Sequence, residues 1–360
     1  MNDALAKHPR HTLAKPRIGF LGVGWIGRHR MQAIVESGIA ETVAIADQSP
    51  EIAARAAELA PDAEIAPSLD NVLDAGVDGL VIATPSALHA PQTIRALRHG
   101  AAVFCQKPLG RTAHEVRSVI DTARAVDRLL GVDMSYRFTE AARRVRNVVA
   151  SNGIGRVHAV EMTFHNAYGP DKPWFRDARL SGGGCVMDLG VHLVDLALWV
   201  LDFPRAHGVS SRLHARGRPL RDGTGIVEDY AVATIDLEGD TVVRLACSWH
   251  LSAGCDAVIS AAFHGTEGSA MLRNIDGSFY DFTAEQYCGT ACETLARPPD
   301  AWGGRAAVDW ATRLAGSDRF DPSIERLVDV AEVLDRIYGR TGDIGRRQRL
   351  KAAAARRRDH

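Results

Sequence analysis

Ile18-Gly19-Phe20-Leu21-Gly22-Val23-Gly24-Trp25-Ile26-Gly27 is an apolar run that gives way to glycines and then to a helix-forming segment. Gly22, Gly24 and Gly27 stand at G-x-G-x-x-G spacing. Three glycines so placed allow a tight turn, close backbone approach to a pyrophosphate, and close packing of helix on strand. A helix starting near Trp25 and Ile26 turns its free N–H groups and positive dipole end toward such a group. The next buried strand, Thr42-Val43-Ala44-Ile45-Ala46, ends at Asp47, about 25 residues past Gly22. That is near the spacing at which a carboxylate meets ribose hydroxyls. Gln48-Ser49-Pro50 bring no adjacent arginine for a 2′-phosphate, so the pattern favours NAD(H) over NADP(H).

The bulk properties agree with an α/β protein built around this turn. With 360 residues, 46% hydrophobic and 24% charged, the chain is long enough for two cores and has a globular composition. A net charge of −1 gives no footprint for nucleic acid or an anionic membrane. The six cysteines, Cys105, Cys185, Cys247, Cys255, Cys288 and Cys292, include no C-x-x-C pair, and Met1 to Arg17 has no apolar core for translocation. The expected compartment is therefore the reducing cytoplasm, and no metal site is expected. Leu193 to Phe203, the greasiest stretch, is interrupted by Asp195 and Asp202 and falls short of a membrane span.

Residues 1–15 read as a flexible leader. From Pro16, short apolar runs at 17–22, 42–47, 63–66, 79–84, 101–106 and 129–136 alternate with amphipathic segments, which predicts a Rossmann-type parallel sheet over 16–137. Ser49-Pro50 and Thr112-Ala113-His114-Glu115 carry helix-start signals. Beyond Phe138 the grammar changes to alternating runs joined by tight turns, as at Glu238-Gly239-Asp240. These predict an α+β domain over 138–340 with a mainly antiparallel open sheet. A basic tail occupies 341–360. An open sheet leaves a face to cover, and self-association into a dimer or tetramer is the expected cover.

Three further stretches bear chemistry. In Ile82-Ala83-Thr84-Pro85-Ser86-Ala87-Leu88-His89 a buried strand ends in a helix, which makes Thr84, Pro85 and His89 candidates for a cofactor wall. In Val103-Phe104-Cys105-Gln106-Lys107-Pro108 a strand end delivers a lysine, a costly group to desolvate without a partner. In Gly182-Gly183-Gly184-Cys185-Val186-Met187-Asp188-Leu189-Gly190-Val191-His192 a glycine triplet precedes Asp188 and His192, four apart and thus on one helical face. The pair suits proton transfer, with the carboxylate orienting the imidazole.

Taken in order, the glycine loop, Thr84-Pro85 with His89, Lys107-Pro108, Tyr136-Arg137-Phe138 and the glycine triplet with Asp188, His192 and Asp195 resemble one family. It is the glucose-fructose oxidoreductase / inositol dehydrogenase / MocA (Gfo/Idh/MocA) oxidoreductases, and the resemblance covers nearly everything but the tails. It implies a Rossmann domain holding a nicotinamide cofactor and an open-sheet domain closing a substrate cleft. Family roles then fall on Lys107, Asp188 and His192, around a secondary hydroxyl or ketone of a sugar, cyclitol or sugar conjugate. His192, oriented by Asp188, is expected to exchange the hydroxyl proton and Lys107 to face the developing alkoxide, although either can be the immediate proton acceptor.

His165, Trp174 and Arg176 precede the triplet and are expected in the substrate cleft. Trp174 offers a plate for a sugar ring, or packing with Phe175. Arg137 and Arg176 suit either a phosphate, which opens nucleotide sugars as substrates, or an ion pair. One departure stands out: the family has Glu-Lys-Pro where this chain has Gln106-Lys107-Pro108, removing a charge that favours protonated lysine. A glycosidase or lyase that keeps NAD bound and oxidises the sugar transiently is an alternative, separable because it releases no net NADH. A non-catalytic cofactor sensor is a third reading, opposed by the presence of Lys107, Asp188 and His192 together.

Overall fold

The computed structural model describes residues 15–220 and 225–340. The leader up to residue 14 and the basic tail lie outside the described residues. The first half alternates strand and helix: β1 (Arg17–Leu21), α1 (Trp25–Ser37), β2 (Glu41–Ala46), α2 (Pro50–Ala57), β3 (Glu64–Ile65), α3 (Leu69–Asp74), β4 (Gly79–Ile82), α4 (Ser86–His99), β5 (Ala102–Cys105), α5 (Ala113–Ala125) and β6 (Leu130–Val132). All pairings are parallel and the sheet order is β3-β2-β1-β4-β5-β6, the expected Rossmann arrangement. The predicted caps form, with Ser49 Oγ accepting from Ile52 N and Thr112 Oγ1 from Glu115 N. Strand order reverses between β1 and β4, so their carboxyl ends open the crevice where ligands of such sheets bind.

The second half contains α6 (Glu140–Ala150), β7 (Val157–Asn166), α7 (Ala178–Ser181), a π-helical turn (Val186–Gly190), α8 (Val191–Val200), β8 (Ala206–Ala215) and β9 (Arg218–Pro219). Then come β10 (Tyr230–Leu237), β11 (Thr241–Ser248), β12 (Ala257–Gly265), β13 (Ser269–Asn274), β14 (Phe282–Cys288) and β15 (Ala291–Ala296). They form a nine-stranded sheet, β15-β14-β13-β12-β7-β11-β10-β8-β9, antiparallel except for the β7–β11 pair. Its period-2 alternation buries one face, as in β10, where Ala231, Ala233, Ile235 and Leu237 point inward. Helix α6 lies on β13 to β15 and α8 on β7. The helical stretch Ala178–Val200 has the length and composition to cross a membrane, but 89% of its most apolar window is buried within this fold. It is longer than the interrupted run read from the sequence, because it joins the short α7, which ends at Gly182 in the left-handed region, to the helical run resuming at Cys185.

Two helices follow the sheet among the described residues, α9 (Arg305–Gly316) and α10 (Leu327–Ile337). Although α9 falls in the stretch expected for the second domain, it packs on the first sheet with Ala306, Ala307, Trp310, Ala311 and Leu314. The Trp310 ring covers two strand glycines: a Cβ on Gly79 would lie 2.8 Å from it, and one on Gly131 2.7 Å. Helix α10 touches α5, α8 and β8 and so bridges the two sheets.

Candidate active site

A cavity of about 570 Å³ opens between the carboxyl edge of the first sheet and the segments that lead into α8. Its first wall is the glycine turn. Gly22 has φ 82°, and a Cβ there would lie 2.7 Å from the Ala83 backbone; a Cβ on Gly27 would come within 2.0 Å of the Gly22 carbonyl oxygen. Gly24 faces open space, with nothing within 4 Å of a Cβ. The turn is thus shaped for glycine and leaves room beside the start of α1, where Trp25 and Ile26 line the cavity. This donor-rich, uncrowded turn fits the pyrophosphate of a dinucleotide. Asp47 lies beyond the cavity lining and steadies the same turn, accepting from Val23 N (2.8 Å) and Ser49 N (3.0 Å). Each carboxylate oxygen keeps accepting capacity beyond that single bond. Gln48 is exposed and outside the lining.

The opposite wall brings the two halves of the chain together. Lys107, at the end of β5, donates from Nζ to Asp188 Oδ1 (2.9 Å) and to the Asp188 carbonyl oxygen (2.7 Å). Trp249 Nε1 donates to Asp188 Oδ2 at 3.0 Å. The Asp188 carboxylate is therefore engaged by Lys107 and Trp249 and does not orient His192, which corrects the expected pairing: position on one helical face does not decide which donor comes closest. It also supplies Lys107 with a carboxylate despite the glutamine at 106. The His192 ring packs against two aromatic rings, edge-on to Tyr136 with centroids 4.7 Å apart and tilted toward Phe164 at 6.4 Å. Burial, then the positive charges of Lys107 and Arg30, hold the imidazole well below its ordinary pKa, so it stays neutral.

The glycine triplet serves the protein's own packing. A Cβ on Gly184 would meet the Glu228 carbonyl oxygen at 1.8 Å, and one on Gly183 the Tyr338 hydroxyl at 2.0 Å. Glu228, buried, accepts from Gly184 N (2.9 Å), Val186 N (2.9 Å) and the Tyr338 hydroxyl (2.7 Å). Burial raises its pKa, and the carboxylate caps the amino end of the helical run that carries Asp188 and His192.

Several expected ligand contacts are made elsewhere. His89 is buried in the cavity wall, but its ring nitrogens lie 2.7 Å from the Pro108 and 2.6 Å from the Thr84 carbonyl oxygens. It clamps the loop carrying Lys107 and offers no free nitrogen to a cofactor. Thr84 Oγ1 donates to Gln92 (2.6 Å); Thr84 and Pro85 line the cavity. Arg137 forms a two-pronged ion pair with buried Asp195 and does not line the cavity, so the ion-pair reading replaces the phosphate one. His165 follows cavity-lining Phe164 on β7, and strand alternation turns it to the other face, where Nδ1 lies 2.7 Å from Ser248 Oγ. Arg176 turns away to the Pro170 carbonyl oxygen (3.2 Å). Trp174 does line the cavity, stacked on Phe175 at 3.8 Å. Tyr136, Trp249 and Glu228 were not among the expected site residues, since their partners lie far away in sequence.

Gln106 lines the cavity as well, and its Nε2 donates to Asp133 Oδ2. The same oxygen accepts from Arg30 Nε at 2.6 Å. Among the described residues no group of three His, Cys, Asp or Glu is arranged to hold a metal ion.

Residues 16–134 match the family model described as "Oxidoreductase family, NAD-binding Rossmann fold", and residues 142–271 match the "GFO/IDH/MocA C-terminal domain". The chain is 32% identical to the dTDP-3,4-didehydro-2,6-dideoxy-alpha-D-glucose 3-reductase of Streptomyces violaceoruber, over 72% of this chain and 73% of that one. Among solved structures it is similar to levoglucosan dehydrogenase in complex with NADH, at TM-score 0.76 and 22% identity over 90% of this chain and 96% of that one. It is equally similar, TM-score 0.76 and 20% identity over 90% and 97%, to KijD10, a 3-ketoreductase from Actinomadura kijaniata in complex with NADP and TDP-benzene. These structural likenesses are of fold.

Proposed function

The chain belongs to the Gfo/Idh/MocA oxidoreductases, a family of sugar and polyol dehydrogenases and reductases with a dinucleotide-binding Rossmann domain, and from that premise we propose that it moves hydride between NAD(H) and a secondary hydroxyl or ketone of a sugar, cyclitol or nucleotide sugar. One observation carries the reading: Lys107 from β5 and Asp188 from the other half of the chain meet at 2.9 Å in the cavity wall, with neutral His192 one turn further on. In this reading residues 16–137 hold the dinucleotide and residues 138–340, α9 excepted, present the substrate groups.

The nicotinamide, when bound, supplies the hydride chemistry. The protein's own groups handle the proton and the charge. A neutral imidazole is ready to take the hydroxyl proton in the oxidising direction. An ammonium has three N–H donors; Lys107 commits two to Asp188, leaving the third for the oxygen on which charge develops. Trp174 gives a sugar ring an apolar plate. Asp47 supports NAD(H), because a carboxylate there repels a 2′-phosphate. The partly exposed alternate residues of β10, Tyr230, Val232 and Thr234, support a homo-oligomer joined through the open sheet face. Six free thiols suit a reducing cytoplasm.

Incubation with NAD⁺ and panels of sugars, cyclitols and nucleotide sugars, followed by nicotinamide absorbance, tests the reading. Turnover with at least one class is expected; undiminished turnover in both His192→Ala and Lys107→Met would overturn the assignment. A competition titration in which NADPH binds more tightly than NADH would overturn the cofactor preference.

A further inference from the structure

β6 ends at Val132, and the next residue, Asp133, lies 1% exposed in the cavity wall at the edge of the first sheet. Its Oδ2 is doubly engaged, by Arg30 Nε from α1 and by Gln106 Nε2 from the end of β5. Its Oδ1 is enclosed and has no hydrogen-bond partner among the described residues. A buried carboxylate oxygen left bare is costly, and such groups in native proteins are completed by something. Arg30 already balances the charge, so what is missing is a neutral N–H or O–H donor rather than a second cation.

The position of Asp133 says where that donor comes from. In a sheet of order β3-β2-β1-β4-β5-β6 a dinucleotide lies across the carboxyl edge with its two halves on either side of the β1–β4 reversal. Asp47 stands at the end of β2, on one side. Asp133 and Gln106 stand at the ends of β6 and β5, on the other, in the same cavity wall as Lys107 and His192. We propose that Asp133 Oδ1 accepts a hydrogen bond from the nicotinamide riboside end of the dinucleotide, through its carboxamide N–H or a ribose hydroxyl, and that Arg30 and Gln106 are positioning residues that aim it. This rests on the dinucleotide reading above. It also gives the glutamine at 106 a reason: as an amide it donates to Asp133, which a glutamate there could do only after taking up a proton.

The test compares wild type with Asp133→Asn and with the exchange variant Gln106→Glu/Asp133→Asn, which keeps one carboxylate beside Arg30. Calorimetric titration with NADH, with ADP, which lacks the whole nicotinamide riboside, and with reduced 3-acetylpyridine adenine dinucleotide, which lacks the amide N–H, reads binding without turnover. Both variants are expected to bind NADH about 10- to 100-fold more weakly, the range for a hydrogen bond to a charged group, with ADP affinity unchanged. If the acetylpyridine analogue binds wild type and variants alike, the carboxamide is the donor; if it weakens along with NADH, the ribose hydroxyl is, and both results support the proposal. Unchanged NADH affinity in the exchange variant overturns it, as does equal loss of NADH and ADP. A wild-type chain that binds neither ligand removes the dinucleotide reading itself, and this proposal with it.

Discussion

Asp188 sits between two donors, and replacing it with asparagine separates what its charge does from what its shape does. In the structure Oδ1 takes Lys107 Nζ at 2.9 Å and Oδ2 takes Trp249 Nε1 at 3.0 Å. Asparagine has one acceptor where aspartate has two. If its oxygen keeps Lys107, its amide turns N–H toward the indole N–H; reversed, it faces the ammonium. One donor loses its acceptor either way. A hydrogen bond to a charged group is worth about 1.5–3 kcal/mol. Lys107 and Asp188 side chains are 19% and 17% exposed, so solvent screens part of that and about 1.5–2 kcal/mol is the expected loss. Asp188→Asn should therefore lower kcat/KM on the order of 10- to 30-fold. Asp188→Asn/Trp249→Phe removes the clashing donor, and its loss should be smaller than the sum of the single losses by about 1 kcal/mol. Steady-state kinetics of the four proteins, with thermal midpoints to check folding, give the cycle. An Asp188→Asn enzyme within about twofold of wild type, or strict additivity, would refute the three-residue bridge.

His192→Ala should slow turnover by roughly 10²–10⁴ while NADH titrations stay at wild-type affinity; a comparable loss of NADH binding would contradict a proton-transfer role. His192 and His89 are both held below the ordinary histidine pKa, chiefly by burial. Between those lowered values and about pH 6.5 the unfolded chain binds more protons than the folded one, so stability is full above that pH and declines as pH falls through the window. Urea midpoints measured on either side of about pH 6.5 check this, and a midpoint that does not fall on acidification speaks against the lowered imidazole pKa values. Gly184→Ala drives a Cβ into the Glu228 carbonyl oxygen at 1.8 Å and should cost about 3 kcal/mol, the upper end for overpacking, since the obstacle is backbone. Equilibrium unfolding indistinguishable from wild type would show that the loop yields without cost.

Much of this was legible in the linear order of residues. The first sheet follows from local signals: apolar runs, helix caps and a glycine turn each act within a few positions. Lys107 and His192 are legible because a strand end and a helix start deliver them to the cavity. What the order of residues cannot express is which distant group arrives beside them. Asp188 has its partners 81 and 61 positions away, and Glu228 meets Tyr338 across 110. The i, i+4 spacing that suggested an Asp188–His192 pair is a statement about direction, and two donors from other elements outcompete it. His165 lies away from the expected cleft for the reverse reason, since one step along a strand changes the face. β8 and β15 leave little trace in the sequence because Ala206–Ala215 and Ala291–Ala296 lack the dense apolar alternation of their neighbours.

Because Trp310 supplies the bulk that Gly79 and Gly131 lack, the nucleotide-side lobe is not a contiguous piece of polypeptide. During synthesis its outer surface stays uncovered until the ribosome has delivered residues near 316. A chimera that grafts this lobe onto a relative must therefore carry residues 305–316 with it, and a fragment cut after residue 137 would leave Phe104 and two glycine-lined hollows facing water.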